Sequence, residues 1–464
     1  MRFLYGFYNL FRTEILYDFL MTERNKMENQ PVRKLIVTMS LPPLFSMFLQ
    51  YAYNFTDSAF VASLGETSLA AVSLSFPITS LMNSMSIWIG VGTNILIARA
   101  LGEKDQAKAN RIAFTGLWGS VLLGVTLTLT ALIFMPSYFR LYAETDLLYR
   151  ACMDYMKICV FMQVPNMVHI LIQKVIQGTG DMIGPMWFQI AGVVFNFIFD
   201  PLLIYGIGPF PEMGIRGAAL STVLGFSLST VLAFLVLFNG KQKVYPALGG
   251  EHPRAEELRG IFTLGLPSFI MNSLVSFTVS LTNVFLVRES ETAVAFFGAY
   301  FKIHQLIIMT ANGLIQGTLP VLNYNYGAKQ YRRLNEAFRY SLFLSSVMMI
   351  IGTLILWIFP VPIIRLFKGS EDMMSFGVSA LRILSLAFCF IGTNNMISTY
   401  LQSVKKVPQS VFIHLTKQLL LLVPLIWVLS RRFGLTGIWW AFPLTEILTF
   451  SMAFFLYRNA KIQA

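Results

Sequence analysis

The sequence predicts an all-α integral membrane protein with twelve transmembrane helices, arranged as two six-helix parallel repeats around a central cavity. Three observations lead to this fold class. Of the 464 residues, 55% are hydrophobic and only 12% are charged, about half the charged fraction of a typical soluble protein. Apolar runs of roughly 20 residues, each long enough to cross a bilayer as a helix, recur along most of the chain. Similar residues also recur at a constant offset of 225 between the two halves.

The apolar runs divide into six helices in each half of the chain. Polar joints such as residues 64–68, 101–111 and 325–339 separate successive runs, because clusters of charged and turn-forming residues mark the ends of spans. The helices of the first half are predicted at 35–62, 69–97, 112–135, 151–176, 185–206 and 217–239. Those of the second half are predicted at 261–287, 294–322, 339–360, 374–402, 409–429 and 437–457.

These helices group into an N-lobe and a C-lobe, flanked by polar segments. The predicted organisation is a cytoplasmic N-terminal segment at 1–34, the N-lobe at 35–239, a cytoplasmic linker at 240–260, the C-lobe at 261–457 and a cytoplasmic tail at 458–464. The linker contains Pro246 and Pro253, and we expect it to carry a short amphipathic helix. Residues 1–26 allow two interpretations: an amphipathic helix on the inner leaflet, or an extension upstream of a start at Met21 or Met27.

The constant offset is the most informative large-scale feature of the chain. The pairs that it superimposes include Pro42 with Pro267, Gly92 with Gly317, Gly102 with Gly327, and Asn110 with Asn335. Because six is an even number of helices, both copies run in the same direction and are related by an axis along the membrane normal. Two such lobes can rock against each other, although a duplicated bundle can also be a rigid scaffold.

The formal net charge of +12 arises from lysines and arginines that flank the hydrophobic spans. Nucleic-acid binding is the alternative interpretation of such a charge, but the cations form no separate basic module. Segments that hold Arg33, Lys104, Lys108 and Arg332 are richer in cations than the opposite loops, which places both chain ends in the cytoplasm. We therefore expect a multi-pass protein of the bacterial inner membrane, in contact with the lipid bilayer and without a nucleic-acid partner.

Cysteine and histidine residues give no basis for a redox or metal enzyme. The three cysteines, at 152, 159 and 389, lie inside apolar spans, and the four histidines are scattered without a metal-ligand spacing. A nucleophile–base pair is also not evident. We expect no cofactor, no resident metal and no enzymatic activity.

A polar stripe on the first predicted helix ends in a carboxylate. Gln50, Tyr53, Asn54 and Asp57 are separated by three, one and three positions, so they share one face of the helix. An ionised aspartate near the bilayer centre costs roughly 2.5–3.5 kcal/mol, so such a residue is a candidate for function. The offset places Thr282 at the equivalent position of the second copy, and the acid is therefore not required by the fold of the repeat.

A second carboxylate lies on the fifth predicted helix. Asn196 and Asp200 are four residues apart on a common face, and Pro201 follows directly. Proline cannot donate to the carbonyl group of Phe197, so we expect the helix to bend or loosen there. A carboxyl group in a low-dielectric pocket can take a proton or hold a monovalent cation. The alternative is that the two polar residues only join neighbouring helices.

Among the other ionisable residues inside predicted spans, two are secondary candidates. Lys302 can pair with an acid or extend its amine to the membrane surface. Glu446 is the only acid on the last predicted helix.

Several motifs together resemble the multidrug and toxic compound extrusion (MATE) family, and most closely its MepA-like bacterial branch. These motifs are DSAFVASLG at 57–65, LGEKDQAKAN at 101–110, QGTGD at 177–181, NFIFDPLLIYGIG at 196–208 and MGIRGAALSTVLG at 213–225. The resemblance covers residues 30–460 and implies a proton- or sodium-coupled antiporter that exports amphipathic organic cations as a monomer. It implies no cofactor besides the coupling ion, which could include Na⁺ bound transiently at Asp57 and Asp200.

The resemblance also implies a site in the N-lobe. By position, its residues are Gln50, Asp57, Tyr155, Gln173, Asn196, Asp200 and Thr222, with Asp57 and Asp200 as the coupling carboxylates. Tyr53 and Asn54 join this set through the polar stripe. Gln173 departs from the MepA-like branch, in which a glutamate is common. The seventh and tenth predicted helices hold no acid, so the C-lobe cation site of other MATE branches is not expected.

Other transporter classes remain as alternatives. A lipid-linked oligosaccharide flippase of the same superfamily would require a strongly cationic cavity, and the inner spans offer only Lys302 and Arg382. A major-facilitator transporter shares the number of helices and the parallel duplication, but its Gly-Asp-Arg-Gly-Arg pattern is missing from the loop between the second and third helices.

Overall fold

The computed structural model describes residues 26–143, 145–238, 242–246, 252–367 and 370–462, and the regular elements in these ranges are helices. The N-lobe contains α1 (Val32–Ser63), α2 (Glu66–Gly102), α3 (Gln106–Tyr142), α4 (Asp146–Phe161), α5 (Gln163–Gly178), α6 (Ile183–Tyr205) and α7 (Ile215–Phe238). The C-lobe contains α8 (Ala255–Leu286), α9 (Glu291–Gly327), α10 (Tyr331–Ile358), α11 (Glu371–Ser385), α12 (Phe388–Ser403), α13 (Val407–Leu415) and α14 (Val423–Ala460). A short helix, Pro360–Leu366, follows α10, and a π-helical segment, Thr416–Leu422, joins α13 to α14.

The helices of the described ranges agree with the twelve predicted spans. Ten helical stretches are long and apolar enough to cross a membrane. In addition, α4 and α5 form one broken span with a bend of 47°. The last stretch, Val407–Ala460, has 54 residues and is interrupted at Gly434, whose φ of 54° and ψ of −137° are not helical. Because roughly 20 residues cross a bilayer, this stretch holds two spans.

The joints between helices are shorter than the sequence indicated. The predicted loop 101–111 is largely helical, since α2 continues to Gly102 and α3 begins at Gln106 after Asp105 caps its first turn. Likewise α8 begins at Ala255, inside the segment assigned to the linker. Glu257 in its first turn accepts hydrogen bonds from Arg111 at 2.6 Å and from Thr115 at 3.0 Å, which attaches the start of α8 to α3. The two interpretations of residues 1–26 stay predictions, because residues 1–25 lie outside the described part of the chain.

The two lobes contact each other through glycines that the internal repeat makes equivalent. A Cβ atom at Gly102 would lie 2.1 Å from the carbonyl oxygen of Tyr324, and one at Gly327 would lie 2.2 Å from that of Arg99. Arg99 and Tyr324 are themselves related by the offset of 225. The contacts are therefore reciprocal, as an axis along the membrane normal requires. Only glycine permits helix backbones to approach this closely.

This interlobe contact lies on the side of the molecule where the described chain ends meet. Arg333, near the start of α10, donates to the carbonyl oxygens of Met27 at 3.2 Å and Gln30 at 2.8 Å. Asn335 on the same helix donates to the carbonyl oxygen of Ile462 at 3.0 Å. The lobes are thus packed together on this side, which we call the chain-end side.

Candidate functional site

A cavity of about 500 Å³ lies between the two lobes, lined by helices from both. On α1 its lining begins at Met47, beyond the stretch at Met39 and Ser40 that packs against Gly317 of α9. The cavity is therefore separated from the chain-end side by the packed parts of α1, α2 and α9.

Most of the residues predicted for the site line this cavity. They are Gln50, Tyr53, Asn54, Asp57, Tyr155, Gln173, Asn196 and Thr222. These residues come from α1, α4, α5, α6 and α7, so the fold converges five helices of the N-lobe on one wall. Asp200 belongs to the same group but lies behind the lining, with none of its surface exposed.

The two aspartates contact each other. The carboxyl groups of Asp57 and Asp200 are close enough to share a hydrogen bond when one of them carries a proton, because two ionised carboxylates only accept. The hydroxyl group of Ser221 donates to Asp200 from α7. The second oxygen of Asp57, Oδ1, has no partner. The pair can therefore hold a proton, and Asp57 retains a free acceptor.

Asn196 connects this pair to the cavity wall. With the amide oriented so that its donor and acceptor meet complementary partners, its nitrogen lies 2.7 and 3.0 Å from the two oxygens of Asp200, and its oxygen accepts from the backbone N–H of Thr222 at 3.0 Å. The Tyr53 hydroxyl forms a hydrogen bond with the hydroxyl of Thr222 at 3.2 Å. Asn196 and Asp200 occupy one face of α6, which continues through Pro201 to Tyr205. The helix is therefore continuous through the position at which a bend or loosening was expected.

A chain of three amides crosses the same wall. Gln173 donates to Gln189 at 3.2 Å, and Gln189 donates to Gln50 at 3.3 Å. Gln189 was missed in the sequence, although its position seven residues before Asn196 on α6 places it on the same helical face. Ser221 was also missed, although it directly precedes Thr222 in the quoted motif.

The two secondary candidates are not part of the cavity lining. Lys302 is exposed on α9, where its carbonyl oxygen accepts from the Tyr51 hydroxyl at 2.5 Å. Glu446 is buried in the C-lobe, where it pairs with Lys417 at 2.5 Å and accepts from Asn394 at 2.8 Å. The described residues contain no cluster of three His, Cys, Asp or Glu side chains that could hold a metal ion.

A match between the chain and a protein-family model identifies the family of the chain. The model for MatE matches residues 42–202 and 267–428, which is more than half of the chain. The chain belongs to the MATE family. The second matched segment begins 225 residues after the first (267 − 42), so each segment corresponds to one copy of the internal repeat. MATE proteins are multidrug efflux transporters, and the chain is accordingly a multi-pass membrane transporter by family.

The chain is similar to named transport proteins along nearly its whole length. It is 25% identical to the FAD transporter of Shewanella oneidensis over 95% of this chain and 97% of that protein. It is 24% identical to the multidrug export protein MepA of Staphylococcus aureus over 91% of this chain and 92% of that protein. A solved structure of an outward-facing multidrug resistance MATE transporter of the MOP superfamily superimposes with a TM-score of 0.89 at 25% identity, covering 94% of this chain and 97% of that one.

Proposed function

We propose that this MATE protein is an antiporter that exports amphipathic organic cations in exchange for H⁺ or Na⁺. In this proposal Asp57 and Asp200 are the coupling carboxylates. The proposed antiporter acts as a monomer in the bacterial inner membrane, with both chain ends in the cytoplasm, and it needs no cofactor besides the coupling ion.

The contact between the two carboxyl groups carries the proposal. Asp57 is half-buried at the cavity wall, whereas Asp200 is fully buried and contacts the lining residues Asp57 and Asn196. A proton or sodium ion bound to this pair removes negative charge from the wall. A bound organic cation loses its counter-charge at the same moment, so ion and substrate occupancy oppose each other.

Coupling of this kind does not require that the ion and the substrate touch the same atoms. Each ligand only has to prefer a different conformation of the transporter. The packed chain-end side closes the cavity towards the cytoplasm in the proposed orientation, which corresponds to the state that receives the ion and releases the substrate. Separation of the glycine contacts and closure of the opposite side would produce the inward-open state.

The lining of the cavity suits amphipathic cations. Tyr53, Tyr155 and Phe226 provide aromatic faces, which attract cationic groups. Met47 and Met271 add flexible apolar surface that adapts to different shapes. The flippase alternative calls for several cations in the cavity, whereas Lys174 is the one lysine or arginine of its described lining.

Efflux from proteoliposomes tests the proposal. Ethidium transport is measured under separately imposed pH and sodium gradients, with the wild type, Asp57→Asn and Asp200→Asn. We expect that a gradient which drives ethidium efflux by the wild type drives no efflux by Asp57→Asn or by Asp200→Asn. Asp154→Asn is the matched control, because Asp154 pairs with Arg216 at 2.9 Å outside the cavity, and it should transport normally. Undiminished gradient-driven efflux by Asp200→Asn contradicts the proposal.

A further inference from the structure

Lys174 of α5 is a buried lysine at the chain-end side of the cavity. Its side chain lines the cavity and is 8% exposed. The amine donates to Gln177 at 2.9 Å and to Gln316 at 2.9 Å. Gln316 belongs to α9, so the amine lies where the two lobes meet at the inner end of the cavity.

The hydrogen bonds of Lys174 leave part of its capacity unused. A lysine ammonium group has three N–H donors, and two of them are directed at neutral amide oxygens. No carboxylate in the described part of the chain forms an ion pair with this amine. A buried charge that meets only neutral dipoles is costly. The offset of 225 places Thr399 at the equivalent position of the C-lobe, so the fold of the repeat does not require the charge.

A second buried polar side chain lines the cavity without a partner. His169 lies five residues before Lys174 on α5, lines the same cavity and is 3% exposed. Neither ring nitrogen has a hydrogen-bond partner, and the ring packs edge-on against Phe188 with centroids 5.5 Å apart. A neutral imidazole offers one donor and one acceptor. Both ring nitrogens of His169 are buried, and five residues along α5 turn its side chain about 140° away from Lys174, so the unused donor at the inner part of the cavity is that of Lys174.

The cation and the acidic pair lie at different depths of the cavity. The amide of Gln316, which holds Lys174, also contacts the sulfur of Met47 at 3.3 Å. Met47 and Asp57 are both on α1, ten residues apart, which corresponds to roughly 15 Å along a helix with a rise of 1.5 Å per residue. Ile87, Met271 and Phe226 contribute apolar lining to the same cavity.

We propose that the cavity binds amphipathic molecules that carry an anionic group, a phosphate or a carboxylate, at Lys174 and their aromatic or cationic part towards Asp57. This inference rests on the proposed transport function and extends its substrates from organic cations to zwitterions and amphipathic anions. The free N–H of Lys174 receives the anionic group, beside the amides of Gln177 and Gln316. Charge-assisted hydrogen bonds of this kind are about twice as strong as neutral ones.

Riboflavin and FMN form a suitable probe pair, because they are fluorescent and differ only in a phosphate group. Binding to the purified full-length protein is measured by fluorescence titration. We expect the wild type to bind FMN at least tenfold more tightly than riboflavin. Lys174→Gln should reduce this preference to about twofold or less without changing the affinity for riboflavin, and Lys174→Arg should retain most of the preference.

Two control variants separate this inference from the proposed function and from loss of folding. Lys157→Gln removes an exposed lysine of the N-lobe outside the cavity and should keep the preference for FMN. Asp154→Asn, which changes a residue paired with Arg216 outside the cavity, should also keep it. Equal binding of FMN and riboflavin by the wild type overturns the inference, as does an unchanged preference in Lys174→Gln. Gradient-driven efflux by the Asp200→Asn variant overturns only the proposed function.

Discussion

The carboxyl group of Asp57 on α1 meets that of Asp200 on α6, and only Asp57 faces the cavity. The inner carboxyl group is also contacted by Ser221 of α7 and by Asn196 of its own helix, so it is held by two neighbouring helices, α1 and α7. A charge change at the inner acid can therefore be transmitted to the cavity wall through the outer one. We therefore expect the position of α1 to depend on whether Asp200 of α6 is ionised.

Binding of a substrate cation should weaken as the pH is lowered. Protonation removes the negative charge that attracts the cation, so affinity is highest when the pair is ionised and falls towards acidic pH. We expect ethidium to bind about tenfold more weakly to Asp57→Asn at alkaline pH, and the pH dependence to be much reduced in that variant. Equilibrium ethidium fluorescence with the purified protein measures both effects. Wild-type affinity that stays constant across the pH range would refute this expectation.

The reciprocal glycine contacts should control which side of the cavity is closed. A leucine at Gly102 cannot fit within 2.1 Å of the carbonyl oxygen of Tyr324, and the same holds for Gly327 and Arg99. We expect Gly102→Leu to separate the lobes on the chain-end side and to increase the labelling of Asn94→Cys by a thiol reagent added from that side. The labelling is compared in a background without the three native cysteines.

Gly298→Leu is the control for this experiment, because a Cβ atom at Gly298 meets no other atom within 4 Å. That variant should leave the labelling rate unchanged. Equal labelling in Gly102→Leu and in its parent would show that the contact does not hold the lobes together.

The sequence predicted those parts of the molecule that depend on one helix or on the repeat. The stripe from Gln50 to Asp57 and the pair Asn196–Asp200 each follow from the period of a single helix, and the structure brings both stripes to the same wall. Gly102 and Gly327 were marked by the offset alone. Ser221 could not be recognised in this way, because its role depends on Asp200 of another helix; Lys174 is visible in the sequence as a charge near the end of a span, but its contact with Gln316 of the other lobe is not.

The two secondary candidates show that a charge inside a predicted span does not by itself indicate a functional site. Glu446 and Lys302 were singled out because charges are rare in spans, which is correct as a signal of cost. The structure resolves that cost locally for Glu446, by Lys417 and Asn394. Composition alone does not distinguish a carboxylate that faces a cavity from one that is paired in a helix bundle.

The pair formed by Lys417 and Glu446 should therefore be important for stability rather than for transport. The Glu446 side chain is 6% exposed and that of Lys417 is 15% exposed, so removal of one partner leaves a buried charge without compensation. We expect Glu446→Leu to lower stability by about 3–5 kcal/mol, and the double variant Lys417→Met/Glu446→Leu to recover most of that loss. Thermal unfolding in detergent measures the change. Equal stability of the single and double variants would contradict the assignment.

The amide chain through Gln189 should position α1 relative to the rest of the wall. Gln189 accepts from Gln173 at 3.2 Å and donates to Gln50 at 3.3 Å, so Gln189→Leu removes both bonds and leaves two amides unpaired at the cavity. Each lost bond is worth about 1 kcal/mol, and we expect a three- to tenfold weaker binding of ethidium. Gln189→Glu keeps the acceptor for Gln173 and should lose less. Gln106→Leu, which removes an exposed glutamine outside the cavity, is the matched control. If Gln189→Leu and Gln106→Leu bind ethidium equally well, the amide chain does not shape the site.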